Sequence, residues 1–578
     1  MTLPIIDAMT SVLRRQTSRL PRRSRKRAPA NAHVDAAIHR DLMPKLSMRW
    51  KIFAAAMLVA LLSVWAWSPA LHFSFVYDDH LQVESNPQLR SWSGLVNALH
   101  QPLWTQLGSE RASPYYRPLF LLVLFAQHSL FGSNPFPWHL VSICLHALVA
   151  LVLFLFLFLQ LGQLLPAWVG SCIFACSPLV AEVASWISAC SESVYTLLFF
   201  CTLCGLVLSD RAKTPASAFA LRLCSACALA LAVFAKETAV VAVVLALAYE
   251  YLFLARKPRF RSILIYAPLL LPLVVYLWIH PSLHRADSRV VTQVLSTSPY
   301  VGWFAFRKLV LPLPVSEFYD LWIGQAHSLT SLVLHIGLLI CIAGAVLWIG
   351  SRSKFAAWVV AVVVLPLIVV VAGSLFFRDY DLFHDRYLYL SATGVAMLLA
   401  TLIARVEIRP QLRLVIAAMA VVVLCAEVWQ SRLASQQFRD DASMFSNAVE
   451  VAPHNVVALQ LLAETAIARS DCPTGIEAYQ RAQQLRPDMW KTSFFLGIGY
   501  LHCGRSIPAA GAFGRAANIP GITADQAALA WYELGRVDLA QRNIADALIS
   551  LRRAAALDPA SHKIQILLTQ ILSENQHR

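Results

Sequence analysis

Charge is scarce in this sequence. Only 14% of its 578 residues are charged and 58% are hydrophobic, where a soluble domain carries nearer a quarter charged. That excludes an ordinary water-soluble globule for most of the chain. A zinc-site spacing of cysteine and histidine is also missing. The twelve cysteines fall mostly in apolar runs, at Cys172, Cys176, Cys201, Cys204, Cys224 and Cys227, where they serve as small hydrophobes. No small-x-small cleavage site follows the first apolar segment, Ile52 to Leu71. That segment trails a long polar leader, so it reads as a retained anchor rather than a signal peptide. No internal inverted repeat is visible, which argues against a transporter. The net charge of +15 raises the question of a nucleic-acid partner. The basic residues, however, run from Arg14 to Arg27 ahead of the first span and pair up beside later ones. That pattern anchors a membrane protein on its cytoplasmic side, so no nucleic-acid partner is expected.

What the chain does have is long apolar stretches, each near the about 20 residues that cross a bilayer. Spans are expected near 51–71, 138–159, 165–181, 193–209, 217–234, 238–255, 262–280, 328–349, 355–376, 387–404 and 413–430. Two shorter apolar segments, Leu119 to Phe131 and Val301 to Leu313, are expected as helices lying in the interface. The first is interrupted by Gln127 and His128, and the second carries Arg307 and Lys308. With the N-terminus inside, eleven spans place Arg211/Lys213, Arg256–Arg261, Arg352/Lys354 and Arg405–Arg413 in the cytoplasm, as the positive-inside rule asks. The expected order is a basic cytoplasmic leader (1–50), a transmembrane domain (51–430) and an external domain (431–578).

The same topology gathers the polar exceptions on the outer face: Asp78-Asp79, Tyr116-Arg117, Glu182, Glu192, Lys236-Glu237 and His384-Asp385-Arg386. Ionisable groups at membrane depth are costly and tend to be functional. Capping of helix ends is the plainer reading for any one of them, but not for all together.

After Trp429 the composition becomes that of a soluble protein and a repeat emerges. Its period is that of the tetratricopeptide repeat (TPR), about 34 residues. Trp531, Leu534, Gly535, Ala547, Leu551, Ala554 and Pro559 fit the last unit. Leu496, Gly497, Tyr500, Ala509, Phe513 and Ala516 fit the middle one, and Leu462, Ala463, Tyr479, Ala482 and Pro487 the first. A partial unit with Phe445, Ala448 and Pro453 precedes them. Units are expected near 456–489, 490–523 and 528–561, forming an α-solenoid that binds a protein or peptide. Cys472 and Cys503 fall at the ends of neighbouring repeat helices and could pair in an oxidising compartment.

One ordered set of motifs carries a resemblance. It runs Phe75-Val-Tyr-Asp-Asp-His80 with Asn86-Pro87, Tyr116-Arg-Pro-Leu119, Trp138-His-Leu-Val141 with His146, Pro178 to Ser193, Ala235-Lys-Glu-Thr238 and His384-Asp-Arg-Tyr-Leu-Tyr389. With repeats behind it, the set resembles the transmembrane-and-TPR O-mannosyltransferase family and its bacterial relatives, over nearly all of residues 51–578. The resemblance implies an all-α GT-C glycosyltransferase bundle in a bacterial inner membrane, with the repeats in the periplasm. It implies a sugar, mannose in the family's name, taken from a polyprenyl-phosphate carrier and given to a hydroxyl, often a protein's.

Within that frame Asp78 or Asp79 is the expected base. Arg117, Arg386 and Lys236 are the expected phosphate ligands, since a leaving phosphate needs cations. Tyr116, Glu182, Glu192, Glu237, His384 and Asp385 are further site candidates. The paired aspartates could instead hold a divalent metal. Two departures from the family stand out: Ser177-Pro178 where relatives often have His-Pro, and Cys190 where they often have arginine. They leave one cation short and keep open a non-catalytic membrane scaffold for envelope assembly.

Overall fold

The computed structural model describes residues 34–107, 115–254, 260–279, 288–321, 328–373, 383–406 and 410–576. The Arg14 to Arg27 run and most of the Arg256–Arg261 loop lie outside the described residues. Among those described, all regular structure is helical, so the protein is an all-α membrane protein. Two compact units are present. One comprises Met1–Val315 and Leu321–Arg439, the other Ser316–Asp320 and Asp440–Arg578.

In the first unit, seven helices among the described residues are long and apolar enough to cross a membrane: Met48–His72, Pro135–Leu161, Ile187–Asp210, Pro215–Ala235, Leu329–Arg352, Asp385–Arg405 and Ala418–Phe438. An eighth arises if Leu164–Cys176 and Pro178–Ser185, bent by 50°, count as one span. Three of the eleven expected spans, 238–255, 262–280 and 355–376, are not among these helices, each for a local reason. The 238–255 segment opens as a 3-10 turn, Glu237–Ala239, and leaves a helix of only 14 residues, Val240–Phe253. The 262–280 segment is 3-10 over Phe260–Leu269, with Pro268 inside it, before the short Leu270–Ile279 helix; proline has no N–H to give to a helix. The 355–376 segment forms Lys354–Gly373 and then leaves the described residues.

Helix ends follow the sequence. Asn134 caps Pro135–Leu161 through the Phe136 N–H at 3.2 Å, and Gly162, with φ of 69°, ends it. Thr214 caps Pro215–Ala235 through the Ser217 N–H. Both follow the preferences of helix termini. Leu164–Cys176 crosses Tyr389–Arg405 closely. A Cβ on Gly170 would stand 2.8 Å from the Ala396 carbonyl oxygen, so only glycine fits there.

The second unit is a row of antiparallel helices. Val456–Ala468, Trp490–His502 and Ala524–Ala540 begin 34 residues apart, and each is followed by a partner: Cys472–Leu485, Ser506–Ala517 and Ile544–Leu557. The third pair opens at Ala524, ahead of the expected 528, because its first helix has 17 residues against 13 in the other two. Cys472 and Cys503 are disulfide-bonded, with Cα atoms 5.9 Å apart, and so staple the first pair to the second. The pentapeptide Ser316–Asp320 belongs to this unit. The Asn455 amide donates to the Tyr319 carbonyl (3.1 Å), and the His454 backbone N–H donates to Asp320 (3.2 Å).

Candidate active site

The loop after the first span is built to hold its two aspartates differently. After the 3-10 turn Ser68–His72 the chain runs extended, and Tyr77 takes a positive φ of 50°, a conformation rare for a residue with a side chain. The loop is pinned from the next motif: Trp186 donates to the Val76 carbonyl (3.3 Å) and stacks on Tyr77, centroids 6.0 Å apart at 24°. Asp79 is fully buried. It accepts from the Val76 N–H (3.2 Å), the Ser188 N–H (2.9 Å) and the Ser188 hydroxyl. Burial outweighs those hydrogen bonds and pushes its carboxyl up to about 7. Asp78 is only half-buried.

Four ion pairs form a network that meets this loop at Trp186. Arg386 pairs with Glu182, which also accepts from the Arg386 backbone N–H at 2.8 Å. Lys236 pairs with Glu192, both buried. Arg117 makes a forked pair with Glu237, its Nε 3.0 Å and 3.1 Å from the two carboxylate oxygens and its Nη2 3.0 Å from Oε2. Lys308 pairs with Asp385 at 3.0 Å, both with no exposed side-chain surface, and also donates to the Pro312 and Pro314 carbonyls. Aromatic faces link the pairs. Lys236 and Arg386 both stand over Tyr387, at 5.5 Å and 5.3 Å, and Arg386 also covers Trp186 at 5.2 Å. Lys236 lies in the field of Arg117 and Arg386 as well as Glu192.

The helices explain the assembly. Arg117 is the N-cap of Pro118–Phe131, Glu192 sits in the first turn of Ser191–Asp210, Lys236 is the C-cap of Pro215–Ala235, and Arg386 precedes Tyr389–Arg405. The bend at Ser177-Pro178 turns Glu182, Trp186 and Ser188 toward the same place. Arg117, Glu182, Glu192, Lys236, Glu237, Asp385 and Arg386 thus come together, and the loop of Asp78 and Asp79 joins them through Trp186 and Ser188. His384 is buried against Tyr387, 5.2 Å between rings. Tyr116 is turned aside: its hydroxyl donates to the Leu99 carbonyl at 2.8 Å and braces the loop. His146 is a core residue, bonded to the Tyr389 hydroxyl and the Ala175 carbonyl.

Lys308 lies in the Val301 to Leu313 segment, expected as an interfacial helix and not among the helices long and apolar enough to cross a membrane. That segment belongs to the longer Ser288–Val310 helix, and its lysine is buried in the ion-pair network. A cation in mid-segment was the available signal, because an ammonium inside an apolar helix needs a partner. Ser188, Trp186 and Tyr387 were also missed as individuals, although the motifs containing them were noticed. Cys190 faces an apolar cluster with Phe75, Trp138 and Ile187, so the site is not built around a cation at that position. A metal bridging Asp78 and Asp79 fits poorly, because both Asp79 oxygens already accept from protein donors. Among the described residues, no group of three or more His, Cys, Asp and Glu is poised to hold a metal.

No protein-family model matches the chain. Individual proteins do. The chain is 20% identical over 437 residues to a protein O-mannosyl-transferase of Caenorhabditis elegans, covering 72% of this chain and 60% of that protein. It is 28% identical over 137 residues to protein O-mannosyl-transferase TMTC2 of Homo sapiens, 23% of this chain and 16% of that one. Against TMTC1 of Homo sapiens it is 32% identical over 151 residues, 25% and 17%. The chain is similar, at a distance, to the TMTC-type protein O-mannosyl-transferases. It spans less than two thirds of the length of these TMTC-type relatives.

Proposed function

We propose that the protein is a membrane glycosyltransferase of GT-C type. In this reading it moves a sugar, mannose by analogy with the relatives' names, from a polyprenyl-phosphate carrier to a hydroxyl, on a protein as in those names. The observation that carries the reading is the half-buried Asp78 beside a buried, fully engaged Asp79, on a loop that Trp186 ties to a network of four paired cations. Asp79 positions the loop through Ser188. Asp78 is the base. The acceptor oxygen bonds to the anomeric carbon as the bond from that carbon to the phosphate oxygen breaks. The hydroxyl proton passes to Asp78, and the bonding pair leaves with the phosphate. Arg117 is the first cation assigned to that phosphate, because its pair with Glu237 keeps some exposed side-chain surface while Lys236 and Lys308 are buried with theirs. Arg386 and Lys236 stabilise the developing charge from behind.

Two features support an outer-face site. Ser191–Asp210 and Tyr389–Arg405 run from the site to Arg211 and Arg405, so the basic loops lie at the opposite end of the bundle from the cluster, which suits positive-inside orientation. The Cys472–Cys503 disulfide suits an oxidising compartment for the second unit. We assign that unit to TPR repeats that hold the acceptor protein. A scaffold without catalysis is the second reading, favoured by the internal neutralisation of every cation named here. Glycoproteomics of the envelope decides between them. Asp78→Asn is expected to leave the protein in the membrane and cut transfer by about 10² to 10⁴. Full transfer by Asp78→Asn at normal abundance overturns the assignment of the base, and an unchanged glycoproteome on deleting the protein overturns the enzyme.

A further inference from the structure

A groove of about 550 Å³ opens on the flank of the first unit, between the ends of Met48–His72 and Ala418–Phe438. Ser68, His72, Trp429, Arg432, Leu433 and Gln436 line it. None of its lining residues is acidic, and none belongs to the ion-pair network. Its volume is that of a small-molecule site. Arg432 is its charged member and is held in place rather than trailing in solvent. Nη1 donates to the Trp65 carbonyl (2.6 Å) and the Ser68 hydroxyl (3.0 Å), and the guanidinium lies 5.8 Å from the Trp65 ring centroid. The neighbouring Ser431 hydroxyl donates to the Cys176 carbonyl, which fixes this face of the helix. Trp65, Trp429 and Leu433 are each more than half exposed, on two helices long and apolar enough to cross a membrane. Tryptophan favours the boundary between acyl chain and headgroup. A preset guanidinium near the ends of two apolar helices, with the Trp65 ring beside it and Trp429 in the groove lining, is a phosphate ligand whose surroundings accept hydrocarbon.

We infer that this groove binds the phosphate of an anionic phospholipid. Arg432 is the phosphate ligand, Ser68 and Gln436 offer polar contacts to the headgroup, and Trp65 and Trp429 pack on the glycerol and upper acyl chain. The site is separate from the catalytic cluster and does not depend on the reaction proposed for it.

Native mass spectrometry of the purified full chain tests this, with phosphatidylglycerol and phosphatidylcholine of identical acyl chains added in turn. Phosphatidylglycerol adducts are expected to survive at energies that strip phosphatidylcholine. Arg432→Ala is expected to weaken phosphatidylglycerol retention about tenfold, the worth of one charge-assisted contact. Leu433→Trp fills the groove while keeping every bond of Arg432, and is expected to do the same. It therefore serves if the alanine variant misfolds. Equal retention of the two lipids by the wild type, or unchanged retention in Leu433→Trp, overturns the proposal. Inorganic phosphate is a third arm: if it displaces the lipid at equal concentration, the groove is a free-phosphate site and the lipid assignment fails.

Discussion

Asp79 ties the stability of the fold to pH. Its carboxyl titrates near 7 in the folded protein against 3.8 ordinarily, so between those values the native state keeps a proton that the unfolded chain has lost. The stabilisation is fully present below about pH 4 and disappears as pH rises through 7. At most it amounts to about 4 kcal/mol. Thermal melts of the wild type in detergent should fall more steeply between pH 5 and 8 than those of Asp79→Asn, which cannot titrate. Parallel curves would mean that Asp79 does not bind its proton this way. The contrast between the two aspartates was not legible from the sequence, which offers two identical side chains in succession. What separates them is Ser188, more than a hundred residues away, and no local pattern announces that hydrogen bond. Arg117, Lys236 and Arg386 were legible as unusual charges at apolar ends. Their carboxylate partners were legible only as neighbours of such ends, because pairing is a property of the assembled bundle.

Helix starts and stops were legible wherever a cap or proline marks them, as at Asn134, Thr214 and Pro178. Continuity of the helices was less legible where apolar composition hides a change of backbone, at Glu237–Ala239 and around Pro268. A hydropathy window sees the side chains but not the missing donor of a proline. In the second unit, the small residues of the repeat pattern correspond to close crossings. A Cβ on Gly497 would stand 2.7–2.8 Å from the ring of Phe513, which is itself fully buried. Gly497→Val should therefore destabilise the second unit by about 1–3 kcal/mol. Gly511→Ala, whose nearest contact is an arginine tip at 3.7 Å, should be neutral or better. Urea denaturation of the two variants, followed by circular dichroism, checks both. A valine variant as stable as the wild type would show that the helices have room to part.

At the scale of the whole chain, the proposed orientation predicts that a reporter active only in the cytoplasm is silent when fused after Arg578. A signal there would place the second unit, and with it the reading of the disulfide, on the wrong side. The boundary between the two units, at Arg439–Asp440, was nearly legible because composition changes abruptly after Trp429. Nothing in composition marked Ser316–Asp320 as a part of the second unit, since five residues carry no period and no charge pattern of their own. That pentapeptide makes the second unit a split protein, in which one strand of its fabric is supplied from far upstream, as if it were a ligand encoded in the same chain. Residues 436–578 expressed alone should be helical yet incomplete, with Asn455 and His454 lacking the backbone and carboxylate they bind in the whole chain. Adding a synthetic peptide covering residues 312–322 should raise the melting temperature of that fragment, and a peptide with Asp320→Ala should raise it less. A fragment indifferent to both peptides would show that the eight helices from Asp441 to Gln576 are a finished fold without it.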